Sequence, residues 1–495
     1  MNNFIYNIYP LLSEIFLVLT SCTLLSYGVF YSSSKGNPLL IKSCSYITVQ
    51  SSIFSLILAY SQEPFHSLIW NGFLIADFFT YEIKSLIIVS FIVWVLINSS
   101  YIINEKLNSF EYWVLVLLAL TAILLVTQAY DFLIIYLCIE LQSLVFYILA
   151  SFKRTSEFST EAGLKYFVLG AFSSAILLLG ISLIYGLTGL TNLSDLSKLF
   201  TDVYFIDGNL FKGIIVGLIL IIVAFLFKLG AAPFHMWVPD VYEGSPTSIT
   251  AFFSIIPKLA IISLICRVLM FAFYDFSELF HKLILISAFL SVLIGSLNTF
   301  IQVKLKRFFA FSSINNVGFL LLALSQGFGE SLSNLFFYLI IYIVSIIGIF
   351  SILASVRFLS SNNHYQIRYL KDLSGMSKFN PTVSVAFLVI LFSMAGIPPL
   401  GGFFSKIFIL LPLLQGKAFG ICIITVILSC ISCFYYIRVV KIIYFDKLEN
   451  WVYLYPIDKF NSVILGLIIL FIAFLFYDIE LIFLISKLCS LAFIN

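Results

Sequence analysis

The stretch GIIVGLILIIVAFLFKLGAAPFHMWVP, residues 213–239, decides the fold of this chain. Its first fifteen residues carry no polar side chain at either odd or even positions. A strand of a transmembrane barrel instead alternates in polarity over about ten residues, so a helix is the structure that satisfies its own backbone inside a bilayer. The stretch predicts a membrane-spanning helix that ends at a buried lysine and at a break made by glycine and proline.

The composition extends this prediction from one helix to the whole chain. Of its 495 residues, 61% are hydrophobic and 10% are charged, against about 45–50% and about 25% in an average soluble protein. At about 20 apolar residues for each crossing, the hydrophobic residues suffice for roughly 14 or 15 helices. The polar intervals are too short for a soluble catalytic domain, a nucleotide fold or a nucleic-acid module. Function is therefore expected inside the bilayer.

Apolar runs separated by polar breaks predict fourteen transmembrane spans and an all-α polytopic membrane protein. If spans four to eight form one unit and spans nine to thirteen another, an interrupted helix is the fourth member of each, as in internally repeated transporters. The chain then divides into a three-helix segment (1–110), two five-helix repeats (111–275 and 276–445) and a C-terminal helix (446–495). The predicted spans are 11–31, 41–60, 82–102, 111–129, 132–151, 163–187, 212–232, 249–273, 282–301, 308–327, 333–357, 381–412 (interrupted), 418–444 and 461–486.

The basic residues predict which side of the membrane each connection faces. Of the 27 Lys and Arg residues, seventeen border the odd-numbered connections, among them Lys35, Lys106 and Lys447, and seven border the other side. Because basic residues collect on the cytoplasmic or matrix side of membranes, both termini are expected on the outer, positive side. The remaining three basic residues lie within apolar segments rather than at their edges.

Four charged residues are expected near the middle of the membrane: Glu140, Lys228, Lys258 and Lys406. A charged side chain there costs about 2.5–3.5 kcal/mol on insertion scales. Burial disfavours the charged form of a lysine and a nearby carboxylate favours it, and a lysine between these influences can take up and release a proton. The four residues therefore predict a proton relay. The alternative is a structural ion pair between Glu140 and one lysine that fixes helix packing.

Two of these lysines lie beside helix breaks. Gly230 and Pro233 follow Lys228, and the run PPLGG (398–402) precedes Lys406. Proline lacks a backbone donor and leaves a carbonyl unpaired, which a membrane tolerates where other helices or water satisfy it. Simple kinks for packing are the alternative. The pairing of each break with a buried lysine favours an ion or proton site.

Two further groups have positions that suggest a function. His235 follows the first break and either relays protons between Lys228 and water, since histidine changes charge near neutral pH, or caps backbone carbonyls. Cys430 and Cys433 have a C-x-x-C spacing, but they lie in an apolar run with no second pair and no nearby His. Cysteine behaves there as a small apolar residue. We therefore expect neither metal nor cofactor ligands in this chain.

Several motifs together resemble one known family. They are PFHMWVPDVYEGSPT (233–247), KRFFAFSSINNVGF (306–319), AGIPPLGGFFSKIF (395–408), SCFYYIRVVKIIYFD (432–446) and the stretch 129–180 around Glu140. The chain is similar to the antiporter-like proton-translocating family that respiratory complex I shares with multisubunit cation/proton antiporters. Within that family it resembles the subunit 2 branch of NADH:ubiquinone oxidoreductase, in its mitochondrially encoded plant, algal and protist forms.

This resemblance implies a fourteen-helix subunit of the membrane arm with two inverted five-helix repeats. It places the family's functional glutamate and lysines on the same four residues that depth in the membrane selects. In many relatives the tenth-helix motif carries a histidine, whereas Asn316 stands at that position here. An amide does not exchange protons as an imidazole does, so Asn316 is expected to order water rather than to carry a proton.

The implied function is proton translocation coupled to electron transfer from NADH to ubiquinone in the mitochondrial inner membrane, with both termini in the intermembrane space. NADH, FMN, iron–sulfur clusters and ubiquinone are expected in other subunits, and this chain is expected to bind no cofactor. The expected partners are lipids, the neighbouring antiporter-like subunit and the small membrane subunits toward the quinone site. The alternatives are a subunit of a multisubunit cation/proton antiporter, which sodium dependence would reveal, a non-pumping structural subunit, and a chloroplast-type relative that uses ferredoxin.

Overall fold

The computed structural model describes nearly all of the chain. The described residues are 7–32, 39–62, 67–105, 107, 109–201, 208–327, 329–359, 364–446, 453–454 and 458–494. Lys35, Lys106 and Lys447, which contribute to the predicted charge asymmetry, lie outside the described residues. Helices dominate the described chain, as the sequence predicts.

Nineteen helices follow one another along the described chain. In chain order they are α1 (Leu12–Ser32), α2 (Leu39–Ser61), α3 (Phe78–Asn104), α4 (Glu111–Gln128), α5 (Phe132–Ala150), α6 (Glu157–Thr188), α7 (Leu193–Phe200), α8 (Gly208–Leu229), α9 (Trp237–Gly244), α10 (Thr247–Arg267), α11 (Ser277–Ile301), α12 (Leu305–Leu324), α13 (Glu330–Ser355), α14 (Met376–Phe379), α15 (Pro381–Ala395), α16 (Gly401–Gln415), α17 (Phe419–Tyr444), α18 (Lys459–Phe474) and α19 (Ile479–Ile494). Twelve helices of the described chain are long and apolar enough to cross a membrane, or thirteen if α18 and α19 form one bent crossing.

The twelfth predicted span is interrupted, as expected. Its two parts, α15 and α16, have 15 residues each, which corresponds to about 22 Å of helix and is shorter than a hydrocarbon core of about 30 Å. Neither part is long enough to count alone among the twelve membrane-spanning helices of the described chain. The count of fourteen spans and the inverted repeats stay predictions.

The last predicted span is wrong in one respect. The sequence predicts an uninterrupted helix over 461–486, whereas the structure has α18 and α19 there, which meet at an angle of 96°. Asp478 lies in the break, and its carboxylate accepts a hydrogen bond from the backbone N–H of Leu481 at 3.3 Å. An aspartate in this position caps the N-terminus of a new helix. The chain therefore starts a second helix at this point instead of continuing the first.

The centre of the bundle is α10. All 21 of its residues are buried, and α12 and α13 are buried along most of their length. A helix that is apolar on every face is stable where other helices cover it on all sides. The outer helices α1, α5, α6 and α17 instead expose many large apolar side chains, which suits contact with lipid or with a neighbouring chain. Lys258 on α10 therefore lies in the most enclosed part of the fold.

Short strands, which are not expected from the sequence, lie in three of the connections. β1 (Ser67–Ile69) pairs antiparallel with β2 (Leu74–Ala76) between α2 and α3. β3 (Arg357–Leu359) lies between β4 (His364–Gln366) and β5 (Tyr453–Leu454) in a second sheet. Strands of two or three residues are too short to show an alternating pattern of apolar and polar residues.

Charged residues from three odd-numbered connections meet at one end of the bundle. Glu105 follows α3, accepts a hydrogen bond from Lys153 Nζ at 2.8 Å and pairs with Arg357 Nη1 at 3.1 Å. The three residues belong to the connections after the third, fifth and eleventh predicted spans. The structure therefore brings these odd-numbered connections together, as their assignment to one side of the membrane requires.

The charge of Glu105 is expected to make the stability of the protein depend on pH. Burial raises the pKa of this carboxyl, but Lys153 and Arg357 outweigh burial and hold the pKa below its usual value. The resulting stabilisation is fully present above the pKa of Glu105 in the unfolded chain, about 4.3. It is lost as the pH falls through the lower pKa of Glu105 in the folded protein. We expect Glu105→Gln to lower the melting midpoint in detergent at neutral pH, and the deficit to shrink as the pH falls below about 4. A deficit that stays constant with pH would contradict this role.

Candidate functional site

The structure places the four predicted charged residues on four different helices of the bundle. Lys228 lies in the last turn of α8, Lys258 near the middle of α10, Lys406 near the start of α16 and Glu140 in the middle of α5. α8 packs on α10, α10 on α13, and α13 on α16. Lys258 and Lys406 are 6% and 8% exposed, whereas Glu140 and Lys228 are half-buried.

The two helix breaks are closed by the same backbone motif. Gly230 ends α8 with φ at +74°, and Gly396 ends α15 with φ at +85°, a conformation that glycine adopts without steric penalty. In each case the N–H of the next residue bonds to the carbonyl five residues back, at 2.9 Å in the first break and 3.1 Å in the second. This is the glycine-ended motif common at helix C-termini. The two breaks are thus alike in geometry as well as in sequence.

A lysine lies at the C-terminal end of the first half-helix in both breaks. Lys228 is in the last turn of α8, and Lys406 Nζ reaches back from α16 to donate to the carbonyl oxygens of Met394 and Ala395, each at 2.9 Å. The C-terminal end of a helix carries partial negative charge, which stabilises a nearby ammonium group. Part of the backbone freed by the second break is therefore satisfied by Lys406, as the rule for membrane helices requires.

Ion pairs fix the short helix that follows the first break. α9 carries Asp240, which accepts hydrogen bonds from Arg307 at 2.8 Å and from Lys165 at 3.2 Å. Glu243 on the same helix pairs with Lys304 and Arg307. These contacts connect α9 to α6 and to the start of α12. Asp240 and Glu243 therefore hold the break in place and lie outside the set of buried relay candidates.

Lys228 borders a small cavity lined by both apolar and polar side chains. The cavity measures about 20 Å³ and is also lined by Gln142, Ser143 and Tyr166. Ser143 Oγ lies 3.0 Å from the backbone oxygen of Glu140 and 3.3 Å from its Oε2. Since about 10–15 Å³ is enough for one water, the cavity has room for a water between Ser143 and Lys228. Ser143 and this space connect the surroundings of Glu140 with those of Lys228.

The structure does not contain the ion pair that the structural alternative requires. Among the residues that the structure describes, the ion pairs do not join Glu140 to Lys228, Lys258 or Lys406. Glu140 Oε1 is buried and has no hydrogen-bond partner in the described chain. Glu140 is therefore not locked in place by an ion pair with one of these lysines.

Lys258 makes a single strong polar contact. Its Nζ donates to the hydroxyl of Tyr342 on α13 at 2.8 Å, and the hydroxyl donates to the backbone oxygen of Ser254 at 3.2 Å. The preceding residue, Pro257, has no N–H, so the carbonyl of Phe253 lacks its usual helical partner. A buried ammonium thus depends on one tyrosine hydroxyl, in a helix turn whose own hydrogen bonding is incomplete.

A second cavity connects the surroundings of Lys258 with those of Lys406. It measures about 20 Å³, and its lining includes Tyr342, Tyr338, Asn316 and Lys406. The hydroxyl of Tyr338 donates to Asn316 Oδ1 at 3.0 Å. Asn316 therefore lies at a cavity with room for one water, and its role in ordering water stays a prediction.

His235 lies apart from both cavities. It is 5% exposed, in the turn between α8 and α9, and its Nδ1 has no hydrogen-bond partner within the described part of the chain. The described lining of the two cavities does not include it. A relay role for His235 stays a prediction, with less support than that of the four charged residues.

The sequence analysis did not select the neutral polar residues of the site. Tyr338 and Tyr342 are four residues apart on α13, so they share one helix face, in the otherwise apolar run FFYLIIYIVS. This four-residue spacing of two tyrosines is visible in the sequence and marks a polar stripe on an apolar helix. Gln142 and Ser143 follow Glu140 directly, but one polar residue beside another does not distinguish a cavity lining from a helix contact.

Comparison with known proteins yields one family and several close relatives. Residues 129–432 match the family model described as "NADH:quinone oxidoreductase/Mrp antiporter, TM". NADH-ubiquinone oxidoreductase chain 2 of Marchantia polymorpha is 41% identical over 493 residues, covering 99% of each chain. NADH-quinone oxidoreductase subunit N of Paramagnetospirillum magneticum is 36% identical over 453 residues, covering 92% of this chain and 90% of that one.

Two solved structures share the fold. A chain of respiratory complex I from Thermus thermophilus with bound aureothin has a TM-score of 0.76 and 25% identity, covering 95% of this chain and 98% of that one. A chain of the Mrp complex from Dietzia sp. DQ12-45-1b has a TM-score of 0.80 and 19% identity, covering 97% of both. The second match concerns the fold alone.

Proposed function

The chain belongs to the NADH:quinone oxidoreductase/Mrp antiporter family, and we infer that it is the subunit 2/N component of an H⁺-translocating NADH:ubiquinone oxidoreductase. Its relatives in plant mitochondria and in bacteria are subunits of that enzyme, and they match this chain over nearly their whole length. The chain is a multi-pass membrane protein of the inner mitochondrial membrane. It contributes proton translocation to the enzyme, while the redox chemistry takes place in other subunits.

Glu140, Lys228, Lys258 and Lys406 form the proposed proton relay. A change in the charge of Glu140 alters the proton affinity of Lys228, and the effect passes to Lys258 and then to Lys406. Two unit charges 4 Å apart interact by about 4 kcal/mol at an effective dielectric of 20, which corresponds to a shift of about three pKa units. Weaker coupling over longer distances still changes which lysine carries the proton.

One observation carries this proposal. Lys258 and Lys406 are buried inside the membrane part of the fold, and each is held by neutral oxygen atoms rather than by a carboxylate. A static structural charge is most stable with a carboxylate partner, whereas a lysine that releases its proton needs a site that also tolerates the neutral amine. Hydroxyl and carbonyl oxygens provide such a site.

The test is NADH-driven proton pumping by proteoliposomes that contain the complete enzyme with Lys228→Ala in this subunit. We expect the pumping rate per assembled enzyme to fall by at least about tenfold, because a positioned proton-transfer group contributes typically 10²–10⁴-fold. Lys198→Ala is the matched control, since Lys198 is an exposed lysine on α7, and its variant should pump normally. Normal pumping by Lys228→Ala would favour a non-pumping structural subunit, and a requirement for sodium would favour a cation/proton antiporter.

We also propose the number of crossings, the two inverted repeats and the side of the membrane that the termini face. α15 and α16, counted as one interrupted span, and α18 and α19, counted as another, give fourteen crossings, with repeats at 111–275 and 276–445 in inverted orientation. The likeness of the two glycine-ended breaks supports this pairing. Both termini are proposed to face the intermembrane space.

The proposed partners are the neighbouring antiporter-like subunit, the small membrane subunits toward the quinone site, and lipids. The position of Glu140 supports a protein partner at α5. Leu137, Leu141 and Leu144 beside it are exposed, and a half-buried carboxylate at a lipid-facing surface is costly. NADH, FMN, iron–sulfur clusters and ubiquinone are proposed to bind to other subunits and not to this chain.

A further inference from the structure

The described lining of the cavity beside Lys406 contains no histidine to carry a proton, and Asn316 lies there instead. We propose that the hydroxyl of Tyr342 transfers the proton between Lys258 and the water-sized cavity beside Lys406. This inference rests on the proposed relay. It names the group that passes the proton between Lys258 and Lys406.

The position of Tyr342 supports this role, because it contacts both sides of the gap. Its hydroxyl accepts from Lys258 Nζ at 2.8 Å, and its side chain lines the same cavity as Lys406. α13, which carries Tyr342, packs between α10 and α16. Within the described residues, Tyr342 is thus the group that both bonds to Lys258 and borders the space beside Lys406.

The other polar groups of the cavity are less suited to the transfer. The hydroxyl of Tyr338 donates to Asn316 Oδ1 at 3.0 Å, but within the described residues Lys258 bonds to the hydroxyl of Tyr342 and not to that of Tyr338. Asn316 itself is an amide, which has no proton to release near neutral pH and gains one only in strong acid. Both residues orient the water, whereas Tyr342 is in direct contact with a proton donor.

The transfer balances without a net change on Tyr342. An N–H bond of the Lys258 ammonium breaks as a new O–H bond forms on the tyrosine hydroxyl. The original hydroxyl proton passes to the cavity water, and a proton of that water passes to the neutral amine of Lys406. Lys258 is left as a neutral amine and Lys406 as an ammonium, while the tyrosine and the water regain their composition.

The hydroxyl orientation in the structure suggests how the step is controlled. The Tyr342 hydroxyl donates to the backbone oxygen of Ser254 at 3.2 Å, so its proton does not point at the cavity in this state. A hydroxyl hydrogen rotates freely about its C–O bond. Rotation from Ser254 toward the cavity connects Lys258 with Lys406, and rotation back disconnects them.

The experiment compares variants of the complete enzyme in proteoliposomes. Tyr342→Phe keeps the ring and removes the hydroxyl, and we expect the pumping rate per assembled enzyme to fall by at least about tenfold. Tyr112→Phe is the matched control, since Tyr112 is also fully buried and its hydroxyl donates one hydrogen bond, to Ser248 Oγ at 3.2 Å. It should pump at the normal rate.

The outcomes separate this inference from the proposed relay. Loss of pumping in both Lys258→Met and Tyr342→Phe supports the inference. Loss in Lys258→Met with normal pumping in Tyr342→Phe overturns the role of Tyr342 and leaves the relay intact, and normal pumping in Lys258→Met overturns the relay itself. If Tyr342→Phe does not assemble, Ser345→Val tests the same path, because Ser345 lines the cavity and valine reduces the space for water. Normal pumping by that variant also overturns the inference.

Discussion

Replacing Lys258 with methionine is expected to abolish most of the proton pumping while leaving the assembled enzyme intact. Lys258 is buried at the centre of the bundle and bonds to Tyr342. Methionine is similar in length and fills such a site, and the hydroxyl of Tyr342 keeps its bond to Ser254. Since a central charge costs about 2.5–3.5 kcal/mol in a membrane helix, removing it does not weaken folding. We expect the pumping rate per enzyme to fall by at least about tenfold.

A second substitution at the same position separates proton exchange from charge. Lys258→Arg keeps a positive charge that does not deprotonate in proteins, so a relay fails in this variant, whereas a static structural charge would be preserved. Ile262→Met is the control for side-chain packing, because Ile262 lies one turn further along α10 and is also buried. NADH-driven pumping and the amount of assembled enzyme on native gels are the two measurements. Normal pumping by Lys258→Arg would contradict the relay.

The sequence was sufficient to select the buried charged residues but not their partners. A lysine within an apolar run is a local feature, and the position of Lys258 in its run gives its approximate depth. Its partner, Tyr342, is 84 residues away and is one of 27 tyrosines. Which tyrosine meets Lys258 depends on how α10 packs against α13. Neither helix carries a pattern that fixes this contact, since both are apolar on nearly every face.

The fold shows the same division between local and non-local information. The interruption at 396–402 was predictable because two prolines and three glycines are visible there in the sequence. The bend between α18 and α19 was missed because a single aspartate, Asp478, marks it, and one acidic residue near the end of an apolar run also suits a membrane edge. The strand β5 comes from a segment far along the chain from β3, so the pairing of these two strands is a property of the folded bundle.

Arg267 is a further residue whose environment the sequence did not indicate. Its place at the end of an apolar run predicts a membrane edge, but it is 4% exposed, and its Nη2 donates to both carboxylate oxygens of Asp77 at 2.9 and 3.1 Å. Asp77 also caps α3 by accepting from the backbone N–H of Thr80 at 2.8 Å. This pair joins α10 to α3, and hence the predicted first repeat to the N-terminal segment. We expect Arg267→Met to destabilise the subunit by about 3–5 kcal/mol, because it leaves a buried carboxylate unpaired.

The loss in Arg267→Met should be reversible by a second substitution. Asparagine caps a helix nearly as well as aspartate and carries no charge, so Asp77→Asn removes the unpaired carboxylate that the first change creates. The double variant should recover most of the melting midpoint and of the assembled enzyme, since replacing both partners of a buried ion pair with neutral groups is often nearly neutral. A double variant as unstable as Arg267→Met would instead show that the guanidinium stabilises the fold through its contacts with the Phe79 and Tyr130 rings, at 5.5 and 5.9 Å from their centres.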